Sequence, residues 1–481
     1  MTWSSIALSN GRGPIGTANP VLYAIGKTRG TTADVYKTSF NDITQDPNDT
    51  DEGVDTFVSV RDANGKCLPA SDSNTVAFAA GDGYDLATGW GSPKLGLIAQ
   101  LASTSPAPVS EIAAGDFHAC AVRSGGTVSC WGLNDHGQLG NGATSQWGSN
   151  AAQTVLNLTN AWQISAGGYH TCAVTKGGSA VYCWGGNDGG QLGLGGSITA
   201  DQTSPALVPG LTNVIQIAAG ERHTCAIVGP PPLTLKCWGN NTNGQVGDGT
   251  TTSRFTPVVI PTTSPPAQVA LGGSHSCALL ADGTVACWGA NSHGQLGIDS
   301  TTEKHTPQVV KVPSDYSPAM LVAGANHTCM NASYGTDGDS EIFCWGDNSL
   351  QQLGTGPETE EHAPTAVRYW GTGVAMGFAG LAAGGNHTCA LQLDRGTPGG
   401  KVAGCWGDNR FGELGIGNTT SPGGVIALYS LANVATIVAG SASTYVLTTA
   451  GAVGAWGGDF YGQLGDKQNI QQNSPEMITL F

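Results

Sequence analysis

The chain is poor in charge. Of its 481 residues only 11% are Asp, Glu, Lys or Arg, and the 35 acidic residues outnumber the 19 basic ones, giving a net charge of −16. With so few cations, and no cluster of them, a polyanion such as nucleic acid is repelled and an anionic membrane surface is disfavoured. No apolar run approaches the roughly 20 residues that a membrane-spanning helix needs. The first residues, "MTWSSIALSNGRGPIG", lack the basic start and apolar core of a secretory leader. Long stretches with helical periodicity are missing as well. What is plentiful is glycine, 73 residues, and proline, 24, scattered among apolar residues along the whole chain. That is the profile of many short strands joined by tight turns. Thirteen cysteines are also present, a number suited to an oxidising compartment that the missing leader does not announce.

One phrase recurs. "HACAVRSGGTVSCWGLNDHGQLGNG" begins at His118, and versions of it begin at His170, His223, His275, His327 and His387, with a seventh outline around Tyr445. Aligned on Cys-Trp-Gly, the tryptophans are Trp131, Trp184, Trp238, Trp288, Trp345, Trp406 and Trp456. The period of about 50–60 residues suits propeller blades. Within a copy, "EIAAGDFHACAV" and "GTVSCWG" are β-rich runs separated by "RSGG", which reads as a hairpin. "GQLG" is a turn, and "TSPALVPG" or "TPVVIPT" supplies a further strand. The fold class is therefore mainly β, a seven-bladed β-propeller over residues 105–481, whose radial closure leaves few exposed edges.

The two cysteines of each copy flank the hairpin and can face each other across adjacent strands. The candidate pairs are Cys120–Cys130, Cys172–Cys183, Cys225–Cys237, Cys277–Cys287, Cys329–Cys344 and Cys389–Cys405. In the seventh copy Tyr445 and Ala455 replace both at once, as a bonded pair predicts. Buried free thiols and a His-x-Cys metal site are the alternatives; no copy has a CxxC knuckle. Cys67 is left without a partner. The recurring histidines are either a ring of bases or ligands, or strand-end residues bonded to neighbouring backbone; the second is expected. The tryptophans are expected to pack between blades. Glycines such as Gly115, Gly167, Gly220 and Gly272 mark special backbone angles or close approach.

Gly-x-x-His, Trp-Gly-x-Asn-x-x-Gly-Gln-Leu-Gly and Pro-x-x-Val together resemble the repeat of the regulator of chromosome condensation family. The resemblance implies a seven-bladed propeller that mainly binds proteins. The founding member's nucleotide-exchange and chromatin roles do not carry over to an acidic chain without a basic tail. The cysteines make it look more like secreted bacterial members, one kind of which caps β-lactamases with a propeller face. Contacts should lie where blades differ. Before each GQLG turn one position varies: His136, Gly189, Asn243, His293, Leu350, Phe411 and Tyr461. Leu350, Phe411, Phe460 and Tyr461 fall on consecutive blades and are the candidate partner-binding patch, because exposed aromatics favour interface hot spots.

Residues 1–104 do not repeat, and "STSPAPVS" (103–110) reads as a linker. "GPIGTANPVLYAIG", "FNDITQ" and "AAGDGYDLATGWGSPK" resemble the C-terminal end of the sedolisin, or serine-carboxyl peptidase, catalytic domain. This implies a truncated α/β, subtilisin-like segment before the propeller. In that family the two last phrases build a calcium site; here Asp42 and Asp85 would give carboxylates, and Ile43, Gly81 and Gly83 backbone carbonyls, to an ion that takes six to eight oxygens. The family's Gly-Thr-Ser nucleophile motif occurs nowhere in the chain, and its acid/base pair and oxyanion Asp belong upstream. Without them the covalent mechanism has no route, so the start resembles an internal point of a longer secreted protein. The expected function is an extracellular or cell-surface, non-catalytic, monomeric protein-binding propeller carrying a peptidase remnant. The alternative is the C-terminal part of a calcium-dependent serine-carboxyl endopeptidase whose propeller targets substrate or cell surface. A propeller enzyme acting in its central channel is disfavoured, since no acid/base set stands apart from the repeat.

Overall fold

The computed structural model describes residues 108–335, 339–368, 377–394, 400–428, 431 and 433–480, and two short strands at 40–41 and 92–93. The chain forms two compact units, residues 1–107 and 108–481. In the first, Phe40–Asn41 runs antiparallel to Ser92–Pro93, with Phe40 opposite Pro93 and Asn41 opposite Ser92. Asp42, Ile43, Gly81, Gly83, Asp85 and Cys67 lie outside the described residues, as does the rest of the expected α/β segment.

The second unit is mainly β, a seven-bladed propeller of four-stranded antiparallel sheets. Each blade is a meander of consecutive strands: 109–154, 161–207, 214–260, 266–309, 316–366, 378–428 and 434–478. Among the described residues no strand is exchanged between the first and last blades, and their seam is joined by packing and single bonds, such as Val109 N–H to the Gly451 carbonyl at 3.2 Å.

Position in the blade dictates each strand's residues. The second strand is sandwiched on both faces, and in blade 2 every residue of His170–Thr175 is buried. It therefore lacks the alternation of apolar and polar residues that a half-exposed strand shows, and its buried polar residues need partners. The outermost strand is an edge. Pro205, Pro257, Pro307, Pro364 and Pro475 all sit where its ladder slips against the third strand. A residue without N–H at a bulge blunts the edge against pairing with another chain, which gives the repeated Pro-x-x-Val its physical meaning.

The cysteines face each other at one register of every blade that has them. Six disulfides result, Cys120–Cys130, Cys172–Cys183, Cys225–Cys237, Cys277–Cys287, Cys329–Cys344 and Cys389–Cys405, each with Cα atoms 4.0 or 4.1 Å apart. In blade 7, Tyr445 and Ala455 occupy the same facing positions.

Candidate binding face

Antiparallel strands send two sets of loops to one face of the disk: those joining the innermost strand to the second, and the GQLG turns joining the third to the outermost. The first set carries Gly-x-x-His. A Cβ on Gly115 would lie 2.6 Å from the His118 ring, so glycine is what lets the imidazole fold back under its own loop. All six repeat histidines are buried. The expected backbone partner is corrected here: each Nε2 meets the hydroxyl of the next blade, Thr171, Thr224, Ser276, Thr328, Thr388 or Thr444, at 2.8–3.0 Å.

That hydroxyl already donates to the backbone carbonyl of Gln138, Gln191, Gln245, Gln295, Gln352 or Glu413 in the turn of the blade before it. It must therefore accept from the histidine, which fixes the neutral Nε2–H tautomer. Burial holds these imidazoles far below their ordinary value, at about 3 for His118, His170, His223 and His327 and about 4 for His275 and His387. The histidines are inter-blade ties. In six blades the tryptophan Nε1–H bonds to the same turn of the neighbouring blade, as Trp184 does to the Gln138 carbonyl at 2.9 Å. The tryptophans pack between blades as expected. Gly140, at φ +66°, lies directly under the Trp184 indole.

The turns are stapled internally. Asn134 Oδ1 accepts from Leu139 N–H at 3.0 Å, and Gln138 Oε1 from His136 N–H at 2.9 Å, a pattern repeated around the ring. What projects from the face is then the variable residues. Phe411 of blade 6 meets Phe460 of blade 7 edge-on, ring centres 4.8 Å apart. Tyr461 packs edge-on against Phe117 of blade 1 at 5.6 Å, and His136 against Tyr169 of blade 2 at 5.3 Å. Leu350 occupies the corresponding turn of blade 5, half-buried like Phe411 and Tyr461, while Phe460 is 50% exposed. An aromatic arc thus crosses three blade seams in succession. Cations near it are already engaged: Arg410 with Asp408, and Arg222 with Asp188.

At the centre lies a cavity of about 330 Å³, lined by one Ala/Gly-rich loop from each blade. Among its lining side chains only Asp116 and Glu221 are charged. Asp116 is pushed up to about 6 by burial and by the Glu221 carboxylate, and burial raises Glu221 as well. Among the described residues no group of three or more His, Cys, Asp and Glu side chains could hold a metal ion.

The family model described as "Regulator of chromosome condensation (RCC1) repeat" matches residues 125–174, 179–227, 237–279, 282–330 and 339–391, and a second model of that description matches 109–138, 163–191 and 267–295. The chain belongs to the RCC1-repeat family. It is 30% identical over 389 residues to the ultraviolet-B receptor UVR8 of Arabidopsis thaliana, covering 79% of this chain and 84% of that protein. Its fold is shared with Prp20p of Saccharomyces cerevisiae (TM-score 0.62, 20% identity, 74% of this chain and 87% of that one). It is shared equally with human WBSCR16 (TM-score 0.61, 21% identity, 71% and 88%).

Sequence reasoning about this RCC1-repeat chain missed Phe117, Tyr169 and Trp147. The first two precede the repeat histidine at a position that differs from blade to blade, a signal as readable as the one before GQLG. Trp147 is 85% exposed in the ten-residue outer strand Ser145–Thr154. It flanks the arc because its neighbour Gly148 is pressed against the Tyr461 carbonyl. Its signal was the stretch "SQWGSNAAQT" standing where other copies have Ser/Thr-Pro.

Proposed function

We propose that this RCC1-type propeller is a monomeric, non-catalytic protein-binding module whose partner sits on the face bearing Leu350, Phe411, Phe460 and Tyr461. The observation that carries the reading is the aromatic arc: rings from neighbouring blades touch each other yet stay partly exposed, the arrangement expected of a hot-spot cluster. The repeat histidines give the face no acid/base set, since each is buried as a neutral inter-blade tie. Prp20p, which shares the fold, was described with its binding to Gsp1p and histones, and that use of an RCC1-type propeller supports the same kind of role here.

The six disulfides support an extracellular or cell-surface location. To the same proposal belongs the sedolisin-like remnant at 1–104, with calcium held by Asp42, Ile43, Gly81, Gly83 and Asp85. What supports it is the resemblance of "FNDITQ" and "AAGDGYDLATGWGSPK" to that family's calcium-site phrases. Calorimetric titration of the full chain with calcium, and its loss in Asp42→Asn/Asp85→Asn, tests that part.

The binding role is tested by comparing wild type with Phe411→Ala/Tyr461→Ala in pull-downs from conditioned medium. A partner retained by the wild type and lost by the variant is the expected result; equal retention would sink the assignment of the face.

A further inference from the structure

The central mouth of the same face carries a charge pattern that the aromatic arc does not explain. Its wall is almost entirely alanine, glycine and backbone, one loop from each blade. From this apolar collar two carboxylates project, Asp116 from blade 1 and Glu221 from blade 3, and they converge over blade 2. A Cβ placed on Gly168 would stand 3.1 Å from Asp116 Oδ2 and 2.9 Å from Glu221 Cγ. The absence of a side chain at Gly168 is thus what leaves the space the two acids share. Neither carboxylate has a hydrogen-bond or ion-pair partner among the described residues. Arg222, next in sequence to Glu221, turns away to Asp188. The Glu221 carboxylate adds to the burial that raises the proton affinity of Asp116, a cost that a cation between them removes. Tyr169 lies near the pair, and Phe117, next to Asp116 in the chain, lines the mouth, so aromatic side chains stand beside the two acids.

We infer that the channel mouth is a receptor for a single basic side chain, arginine or lysine, at the tip of a partner protein's loop. The apolar flanks of that loop lie on the arc formed by Phe411, Phe460, Tyr461 and Phe117. The inference rests on the protein-binding reading of this face and adds the chemistry of the occupant, argued from charge complementarity: an acidic socket in a chain of net charge −16, with its nearby arginines already paired.

The test uses the full chain as bait for a library of disulfide-cyclised peptides, followed by anisotropy titration of the winners. Face binders, defined as those lost in Phe411→Ala/Phe460→Ala, should be enriched in one central Arg or Lys flanked by apolar residues. For them Asp116→Asn/Glu221→Gln should weaken binding about tenfold or more, as expected when a close charge pair is broken. Replacing the peptide's basic residue by norleucine should cost as much, and the two changes together should cost little more than either. Asn and Gln are near-isosteric and relieve the repulsion, so the variant's melting point should be equal or higher, which separates lost binding from lost folding. Face binders without a basic residue, indifferent to Asp116→Asn/Glu221→Gln, overturn the inference and leave the binding face standing. Winners indifferent to every face variant overturn both. Mouth-dependent binding of spermidine or calcium alone, with no preference for arginine-bearing peptides, assigns the site to free cations and also overturns it.

Discussion

Tyr445 Oη donates to the backbone carbonyl of Gln463 at 2.5 Å, across the third strand of its own blade and into the seam with blade 1. At every other seam that carbonyl position receives a Thr or Ser hydroxyl from the next blade, itself held by a histidine. At the seam of blades 7 and 1 both ties are missing together: Ser443 stands where the histidine would be, and Ala119 where the hydroxyl would be. The tyrosine ring fills the room left by Ala119 and by the lost disulfide, packing edge-on to Trp131 with ring centres 6.4 Å apart. Four departures from the repeat thus compensate one another at the one place where a chain of consecutive blades must close.

The closing seam should therefore open first. Tyr445→Phe keeps the ring and removes one bond to a carbonyl still held by Trp131 Nε1 at 2.8 Å, so the cost should be about 1 kcal/mol. Hydrogen exchange should show strands Val109–Ala114 and Val434–Ala439 exchanging faster than their counterparts in blades 2–4, with the gap widening in the variant. Uniform exchange around the ring would refute this.

Three acids occupy amide positions of the repeat, one each in blades 1, 6 and 7. Glu111 stands for Gln163 and Gln216, Glu413 for the turn glutamine, and Asp459 for the turn asparagine. Burial pushes them up to about 8, 7 and 6. A raised carboxyl makes the fold bind protons the unfolded chain has released, so this part of the stability is full at low pH and is lost as pH rises through 6 to 8. The six histidines work oppositely. With folded values lowered to about 3 or 4, they cost stability as pH falls below 6.5. The two together place the maximum near pH ~7, with the histidines governing the steep acid limb. Thermal melts between pH 4 and 9 check this. Glu111→Gln/Glu413→Gln/Asp459→Asn should flatten the alkaline limb, and Asp459→Asn alone should gain about 1 kcal/mol at pH 8, after discounting its partial exposure.

The blade count, the hairpins and the disulfide partners were legible because each hairpin and cysteine pair is written whole within one 50–60-residue copy and repeated from copy to copy, and variation in the intervening loop leaves the register untouched. The ties between blades were not. His118 and Thr171 lie 53 residues apart, in different copies, and nothing local couples them; their relation exists only once blades stand side by side. Half of the aromatic arc was readable for the same reason. Phe411 and Tyr461 vary at a turn position that one copy can expose, whereas the meeting of Tyr461 with Phe117 needs the ring to close. The acids at Glu111, Glu413 and Asp459 were visible as departures from the repeat, but their meaning required knowing which backbone N–H each one holds.

The inter-blade ties should each be worth more than a surface bond. Thr224→Val leaves the His170 Nε2–H without its acceptor in a fully buried position, and removes a donor from the Gln191 carbonyl. The loss should be about 2–3 kcal/mol in chemical denaturation. Ala119→Thr, which supplies the absent hydroxyl at the closing seam, should instead destabilise, because Tyr445 already occupies its space. If Thr224→Val were neutral, the histidine–hydroxyl chain would be packing without energetic weight.

Thiol counting checks the bridges directly. Of thirteen cysteines, twelve are bonded in the propeller and Cys67 remains. Denatured without reductant, the full chain should react with one equivalent of iodoacetamide, and with thirteen after reduction. Each bridge closes a loop of only 10–16 residues, so single Cys-pair-to-Ala variants should lose about 2–4 kcal/mol. Blade 7 has no bridge to lose, and its stability should be the least sensitive to reductant. Reductant should therefore speed hydrogen exchange in blades 2–4 and leave the rates in blade 7 unchanged, narrowing the gap with the closing seam. A reductant-induced rise as large in blade 7 would mean that neighbouring blades, and not their own bridges, set local stability.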